Sequence, residues 1–266
     1  ATYRFKHALI QDAAYQSLLK STRQQHHQHI AQVLESQFPE TGETQPELLA
    51  QHYTEAGLTE QALGYWQRAG QRALARSANA EAIRHLTTGL ALLTTLTDTS
   101  AWAAQELLLL TTLGPALMAT QGYASAEAGH TYARARALAQ QVEETPQLAQ
   151  VFFGLWVFYH ARAEHSIGRE LSEQFLTLAY RVQDPALLLV GHQMVGQSVY
   201  CLGELARARE LFEQALTYYD PQQHRALALL YVTDPIVASL AWLSFTLWLL
   251  GYPDQAQQQN RAALTL

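Results

Sequence analysis

Apolar and small residues recur at three- and four-residue steps along most of the chain, and no stretch alternates in twos long enough to make a strand. Between Ser21 and Phe38 the stripe is Ile30, Val33, Leu34 and Phe38, opened by Ser21 with Gln24 three residues on, a capping-box arrangement. Thr59 before Glu60 and Ser77 before Asn79 read as further helix starts. Breaks at Gly57, Pro146, Asp184-Pro185, Asp220-Pro221 and Tyr252-Pro253 are short, and no Asn-Gly or Asp-Gly hairpin turn occurs. The pattern predicts helices joined tightly enough to lie antiparallel.

Those helices repeat. Small residues at Gly196, Ala208 and Ala215, with bulky Val195, Val199 and Phe212 among them, form a spacing that resembles the tetratricopeptide pattern. A second copy falls on Leu243, Ser244, Leu247, Ala256 and Ala263, and a third on Leu49, Ala50, Tyr53, Ala62, Trp66 and Ala69. A weaker copy falls on Leu113, Gly114, Leu117, Ala126 and Ala133; in Leu148–Arg181, Gly154 fits but the second helix does not. Gly114, Gly154, Gly196 and Ser244 stand 40, 42 and 48 residues apart, against about 34 for the plain repeat. Longer helices or inserted turns would account for the excess, with HEAT-like pairs as the alternative. The expected fold is all-α, a tetratricopeptide-like solenoid of antiparallel helix pairs wound into a right-handed superhelix, each pair burying its face on the next.

Composition narrows what such a stack does. Of 266 residues, 48% are hydrophobic, enough for a continuous core, while 15% are charged, below the roughly 25% of average chains. Glutamine supplies the missing polarity, and lysine occurs only at Lys6 and Lys20. A net charge of −6 without a basic stripe argues against nucleic acid or an anionic membrane as partner. Pro235–Pro253 carries no charge and approaches spanning length, but Asp234 and Asp254 bound it and Ser239, Ser244 and Thr246 interrupt it. It reads as a helix buried on several sides. A single cysteine, Cys201, and an N-terminus without an apolar run fit a cytoplasmic protein. The absent initiator Met and an end inside a helix, Arg261–Leu266, are read as signs of a piece of something longer.

Two segments carry a more specific resemblance. YRFKHALIQDAAYQSLL (Tyr3–Leu19) resembles the stretch that follows the nucleotide-binding part of bacterial STAND-type signalling ATPases, and Asp234–Ala256 resembles a late repeat of the same group. Arg23–Leu34 and Pro46–Leu93 resemble the repeats between. In that group a class III adenylate or guanylate cyclase domain often precedes the ATPase. The resemblance implies residues 1–40 as a helical segment following an ATPase or winged-helix region, and 41–266 as the repeat domain. No P-loop or cyclase motif is present, so no catalytic residue carries over and this stretch is not expected to be an enzyme.

Candidate chemistry is sparse. His26 and His29 share a helical face beside His27, but no cysteine or carboxylate stands at ligand spacing, so a solvated face is expected and no metal or cofactor. Glu164 with His165, and His224 with Asp234, lack a visible pocket. Cys201 has no partner at helical spacing apart from nearby Arg207 and reads as a small semi-buried residue. The basic start, Arg4, Lys6, Lys20 and Arg23, reads as solvated charge. Aromatics are denser: Phe152, Phe153, Trp156, Phe158 and Tyr159 on one helix, Trp242, Phe245 and Trp248 on another. Projecting first helices onto an inner groove places Trp156, Tyr159, Gln193, Gln197, Tyr200, Phe245 and Trp248 there. That mix of amides and aromatics suits a peptide or protein ligand, or the protein's own N-terminal domains. The expected function is a protein-interaction module, the regulatory arm of a signalling ATPase or cyclase. The alternatives are a small-molecule sensor and a homodimerisation arm.

Overall fold

A computed structural model describes residues 8–96, 102–139, 146–220 and 234–266. Arg4, Lys6, Pro221 and His224 lie outside the described residues. Helices follow one another without a strand among the described residues: α1 Ala8–Ser17, α2 Lys20–Gln37, α3 Pro39–Thr44, α4 Pro46–Ala56, α5 Thr59–Ala75, α6 Asn79–Leu93 and α7 Ala103–Gln121. Then come α8 Ala126–Ala139, α9 Pro146–Ala161, α10 His165–Val182, α11 Pro185–Cys201, α12 Leu205–Thr217, α13 Pro235–Leu249 and α14 Pro253–Thr265. Two compact units divide the chain, Ala1–Ala116 and Leu117–Leu266.

One turn recurs and sets the register. Gly57, Ser77, Ala163, Gly203 and Gly251 all take positive φ, between 57° and 87°. After each, the next amide reaches back five residues: Leu58 to Tyr53, Ala78 to Ala73, Glu164 to Tyr159, Glu204 to Val199 and Tyr252 to Leu247, at 2.9–3.0 Å. This bond and the left-handed residue make a Schellman turn, which satisfies the last carbonyls of one helix while reversing the chain. Five residues beyond each turn stands a small residue: Ala62, Ala82, Gly168, Ala208 and Ala256. Proline and aspartate start other helices. Asp184 Oδ1 accepts from the Ala186 and Leu187 amides at 2.8 and 3.3 Å, and Asp234 Oδ1 from Ile236 at 3.0 Å.

The cores follow from that register. In the first unit Leu49, Ala50 and Tyr53 of α4 pack on Ala62, Trp66 and Ala69 of α5, with Ala31 of α2. In the second, Val195 and Val199 of α11 and Ala208 and Phe212 of α12 pack with Leu243 and Leu247 of α13 and Ala256 of α14. Each helix there packs on its successor, and the first helices α9, α11 and α13 also touch in sequence. The small-residue positions Ala50, Ala62, Ala69, Gly196, Ala208, Ala215 and Ala256 read from sequence are buried, whereas Ala263 is only half-buried. The uncharged α13 buries one face, with Leu243 and Leu247, in this core, but it is not covered on every side as expected, since Phe245, Trp248 and Leu249 are exposed. No helix among the described residues is long and apolar enough to cross a membrane.

Three local expectations need correction. Ser21 is not a cap: α2 begins at Lys20, and its cap position, Leu19, makes no side-chain bond. Ala126 and Ala133 are exposed, while Ala128, Tyr132 and Ala135 are buried, so the register of α8 is two residues later. The cause is a longer turn after Gly122, where Ser125 Oγ accepts from the Ala128 amide at 3.2 Å. Gly154 does not face its own pair. A Cβ there would strike the Tyr132 ring of α8. The turn at Ala163 puts Trp156 seven residues back, where Gly196 stands before Gly203 and Ala50 before Gly57. The indole reaches Gly168 of α10, where a Cβ would make an ordinary contact of 3.6 Å with Trp156 Cδ1.

Candidate functional site

The seven residues projected onto a groove fall into two groups in the second unit. Trp156, Gln193 and Gln197 are buried and bonded among themselves and their neighbours. Trp156 Nε1 donates to Ser198 Oγ at 2.8 Å, and Ser198 Oγ donates to the Met194 carbonyl at 2.9 Å. Gln193 Nε2 donates to Gln197 Oε1 at 2.8 Å, and Gln197 Nε2 meets His160 Nε2 at 2.8 Å. Such a chain is stable because every amide has its partner. It braces α9 against α11 and offers a ligand little surface.

The other four are accessible. Tyr159 is half-buried, edge-on to Phe158 at 5.2 Å. Tyr200, also half-buried, meets Trp242 of α13 edge-on at 5.0 Å, and Trp242 meets Phe245 at 5.9 Å. Phe245 is 56% exposed and Trp248 65%, with Leu249 and Tyr252 exposed beside them. Phe245, Trp248 and Leu249 stand at i, i+3 and i+4, so they form one stripe. Large apolar side chains grouped on a surface are costly to leave in water and mark contact faces. Beside the stripe, a shallow hollow of about 360 Å³ is lined by Ser244, Trp248, Asp254, Gln257 and Asn260. A broader trough of about 570 Å³ on α9 and α10, with Phe152, Glu170, Glu173 and Arg181, contains none of the seven.

The turn register relates these residues. His160, Tyr200 and Trp248 each stand three positions before a left-handed turn residue, Ala163, Gly203 and Gly251. They are equivalent sites on successive first helices. Tyr200 is covered by the next pair through Trp242, whereas Trp248 is exposed.

Sequence reading missed a second grouping. Ring nitrogens of His160 and His165 and the sulfur of Cys201 lie within 4.8 Å of one another. His160 stacks on Trp156 at 5.3 Å and meets His165 at 5.1 Å. Burial, and then the neighbouring His165, lower the His160 pKa; burial raises that of the Cys201 thiol. The histidines noted from sequence behave otherwise. His26 and His29 are exposed, while His27 turns to Tyr15 and to His52, with 2.8 Å to each.

No protein-family model matches the chain. Over 252 residues, 94% of its length, it is 25% identical to an uncharacterized protein, R02095, of Rhizobium meliloti. It spans only 24% of that relative. Among solved structures, the apo form of RapI has a TM-score of 0.59 at 14% identity, covering 81% of this chain and 57% of RapI. A Rap protein complexed with competence and sporulation factor has a TM-score of 0.58 at 14% identity, covering 94% of this chain and 66% of that one. BtubC from P. vanneervenii has a TM-score of 0.55 at 13% identity, covering 94% and 91%. At such identities the likeness is one of fold. The chain is a tetratricopeptide-like, all-helical repeat protein.

Proposed function

We propose that this chain is a protein-interaction module whose docking face is the aromatic stripe of α13, and that its occupant is an amphipathic helix. The observation that carries this is Trp248. It occupies the position that Tyr200 holds on the preceding first helix, and Tyr200 is where that helix receives the aromatic side chain of its neighbour, Trp242. A helix presenting an apolar residue to Trp248 and Phe245 would repeat a contact the fold already makes. Ser244, Asp254, Gln257 and Asn260 then offer polar partners at its rim. Tyr200 supports the face from behind by packing on Trp242, and the buried Trp156, Gln193 and Gln197 brace α9 against α11. The Rap protein with a bound factor supports the capacity of this fold to hold a ligand.

The helix can belong to another protein or to the rest of the polypeptide. The match to about a quarter of a long bacterial protein supports the second source. So does the resemblance of Tyr3–Leu19 to the segment after a signalling ATPase, with residues 1–40 as the connection and 41–266 as the repeat arm. In that setting the module is the regulatory arm of a STAND-type ATPase or linked cyclase. Docking would bias the ATPase between states through its different affinity for each. The test is selection of helical peptides from a display library, followed by titration against the parent chain and a Phe245→Ala/Trp248→Ala variant. Both side chains are exposed, so the variant keeps its helices. Apolar-faced helices that bind the parent and lose the variant are the expected result. Selected peptides that bind both equally would remove the face from consideration.

A further inference from the structure

We infer that His160, His165 and Cys201 form a binding site for a single zinc-class metal ion. Three helices deliver the donors: His160 from the last turn of α9, His165 as first residue of α10, and Cys201 as last residue of α11. The Schellman turn at Ala163 folds His165 back beside His160. The turn at Gly203 lies two residues past Cys201, the last residue of α11, as the turn at Ala163 lies three past His160. Among the described residues, this is the only place where three such donor atoms converge.

The donor set chooses the metal. Two imidazoles and a thiolate are ligands for zinc and other borderline or soft ions, while magnesium and calcium require oxygen. Tetrahedral bonds of about 2.3 Å to sulfur and 2.0–2.1 Å to nitrogen would place the donors about 3.3–3.6 Å apart. The present limit of 4.8 Å therefore has to contract by little more than about 1 Å. Side chains at helix ends can supply that by torsion.

Two further observations fit. Nδ1 of His165 is buried without a hydrogen-bond partner, an unused donor atom at the cluster. His85 and His192 also have unpartnered Nδ1 atoms, but His85 stacks on Trp66 and His192 on Tyr218, and neither belongs to a group of three donors. His160 is also supported from behind. Gln197 holds its Nε2 and Gln193 holds Gln197, an arrangement that orients a ligating imidazole. With the ion on the other ring nitrogen, both amides turn, so that Gln197 Oε1 accepts the His160 Nε2–H and Gln193 Oε1 accepts from Gln197 Nε2.

Binding is a ligand exchange without redox change. The Cys201 thiol releases its proton to solvent, sulfur and two neutral imidazole nitrogens bond the ion, and water or a partner's side chain takes the fourth position. The ion would tie α9 and α10 to α11, two successive pairs. This departs from the sequence reading, which expects no metal.

The test uses the whole chain, first stripped with a chelator, then titrated with zinc against a chromophoric competitor and separately with cobalt(II). One equivalent bound, with a thiolate-to-cobalt charge-transfer band in the near ultraviolet, is the expected result. Cys201→Ser, nearly isosteric, should lose both the band and the uptake, and His165→Asn should weaken both. Circular dichroism checks that each variant stays folded. Absence of uptake by the parent overturns the site. Uptake that survives Cys201→Ser but disappears in His27→Asn also overturns it, by placing the ion at the His27–His52 pair.

Discussion

Gly196 and Gly64 give one substitution opposite signs. Both lie inside helices, where glycine costs about 1 kcal/mol relative to alanine. A Cβ on Gly64 of α5 meets nothing within 4 Å. Gly64→Ala should therefore stabilise the first unit by about 0.5–1 kcal/mol. A Cβ on Gly196 of α11 would lie 2.8, 2.9 and 3.1 Å from three ring atoms of Phe212. Ordinary carbon contacts are about 3.5–4.0 Å, so the helices or the ring must yield by about 0.7 Å. Phe212 is wholly buried, among Val195, Val199, Ala208 and Leu243, and has nowhere to move. Overpacking of this kind costs about 1–3 kcal/mol. After the helical gain, Gly196→Ala should range from about neutral to about 2 kcal/mol destabilising. The difference between the two substitutions isolates the packing cost, about 1–3 kcal/mol, or about 5- to 150-fold in local opening. Hydrogen–deuterium exchange read on α5 and on α11–α12 reports each site separately, so the two units need not unfold together. Faster exchange around α11–α12 in Gly196→Ala and slower exchange in α5 of Gly64→Ala are expected. Slowing in both would refute the close approach of α11 to α12.

Other consequences follow from named residues. Ala163 holds a left-handed turn at φ 59° where three of the other four turns have Gly57, Gly203 or Gly251, so Ala163→Gly should raise stability by about 0.5–1 kcal/mol in urea melts. A lower midpoint would count against that turn. Asp184→Ala removes the carboxylate oxygen that accepts from two amides at the start of α11 and should cost about 1 kcal/mol, seen as faster exchange in its first turn. Burial lowers the pKa of His192; burial, followed by charge on His27, lowers that of His52. The unfolded chain then binds protons that the fold resists. Stability is complete above the ordinary histidine pKa of about 6.5 and falls as pH drops from there toward the folded values. Melting temperatures at about pH 7.5 and about pH 5.5 test this, and a flat profile would contradict it.

The helical pairs are legible in the sequence because their cause is local. Small residues at i and i+7 around a bulky one at i+4, and the breaks between helices, lie close together along the chain, so Leu49–Ala69 and Val195–Ala215 can be placed from residue spacing alone. The α9–α10 pair is not legible, because its bulk is redistributed. Trp156 stands at a small-residue position, and Ser172 and Phe175 exchange the sizes seen at Phe212 and Ala215. The burial of Gln193 and Gln197 is hidden for a related reason. Their acceptors and donors include His160, 37 residues before Gln197, and only tertiary packing brings them together. The His160–His165–Cys201 grouping leaves one trace in sequence. His160 and Cys201 stand three and two residues before equivalent turns, visible only once Ala163 is seen to take the place of glycine.

Crosslinking at position 248 tests the docking face most directly. A photoreactive phenylalanine replaces Trp248 in the full-length protein in its own cell, with the same group at exposed Glu210 of α12 as reference. The account predicts one dominant crosslink from position 248 to an amphipathic helical segment, of a partner or of the same polypeptide, and none of it from position 210. Crosslinks that are absent, or equal from both positions, would contradict α13 as a helix-docking face.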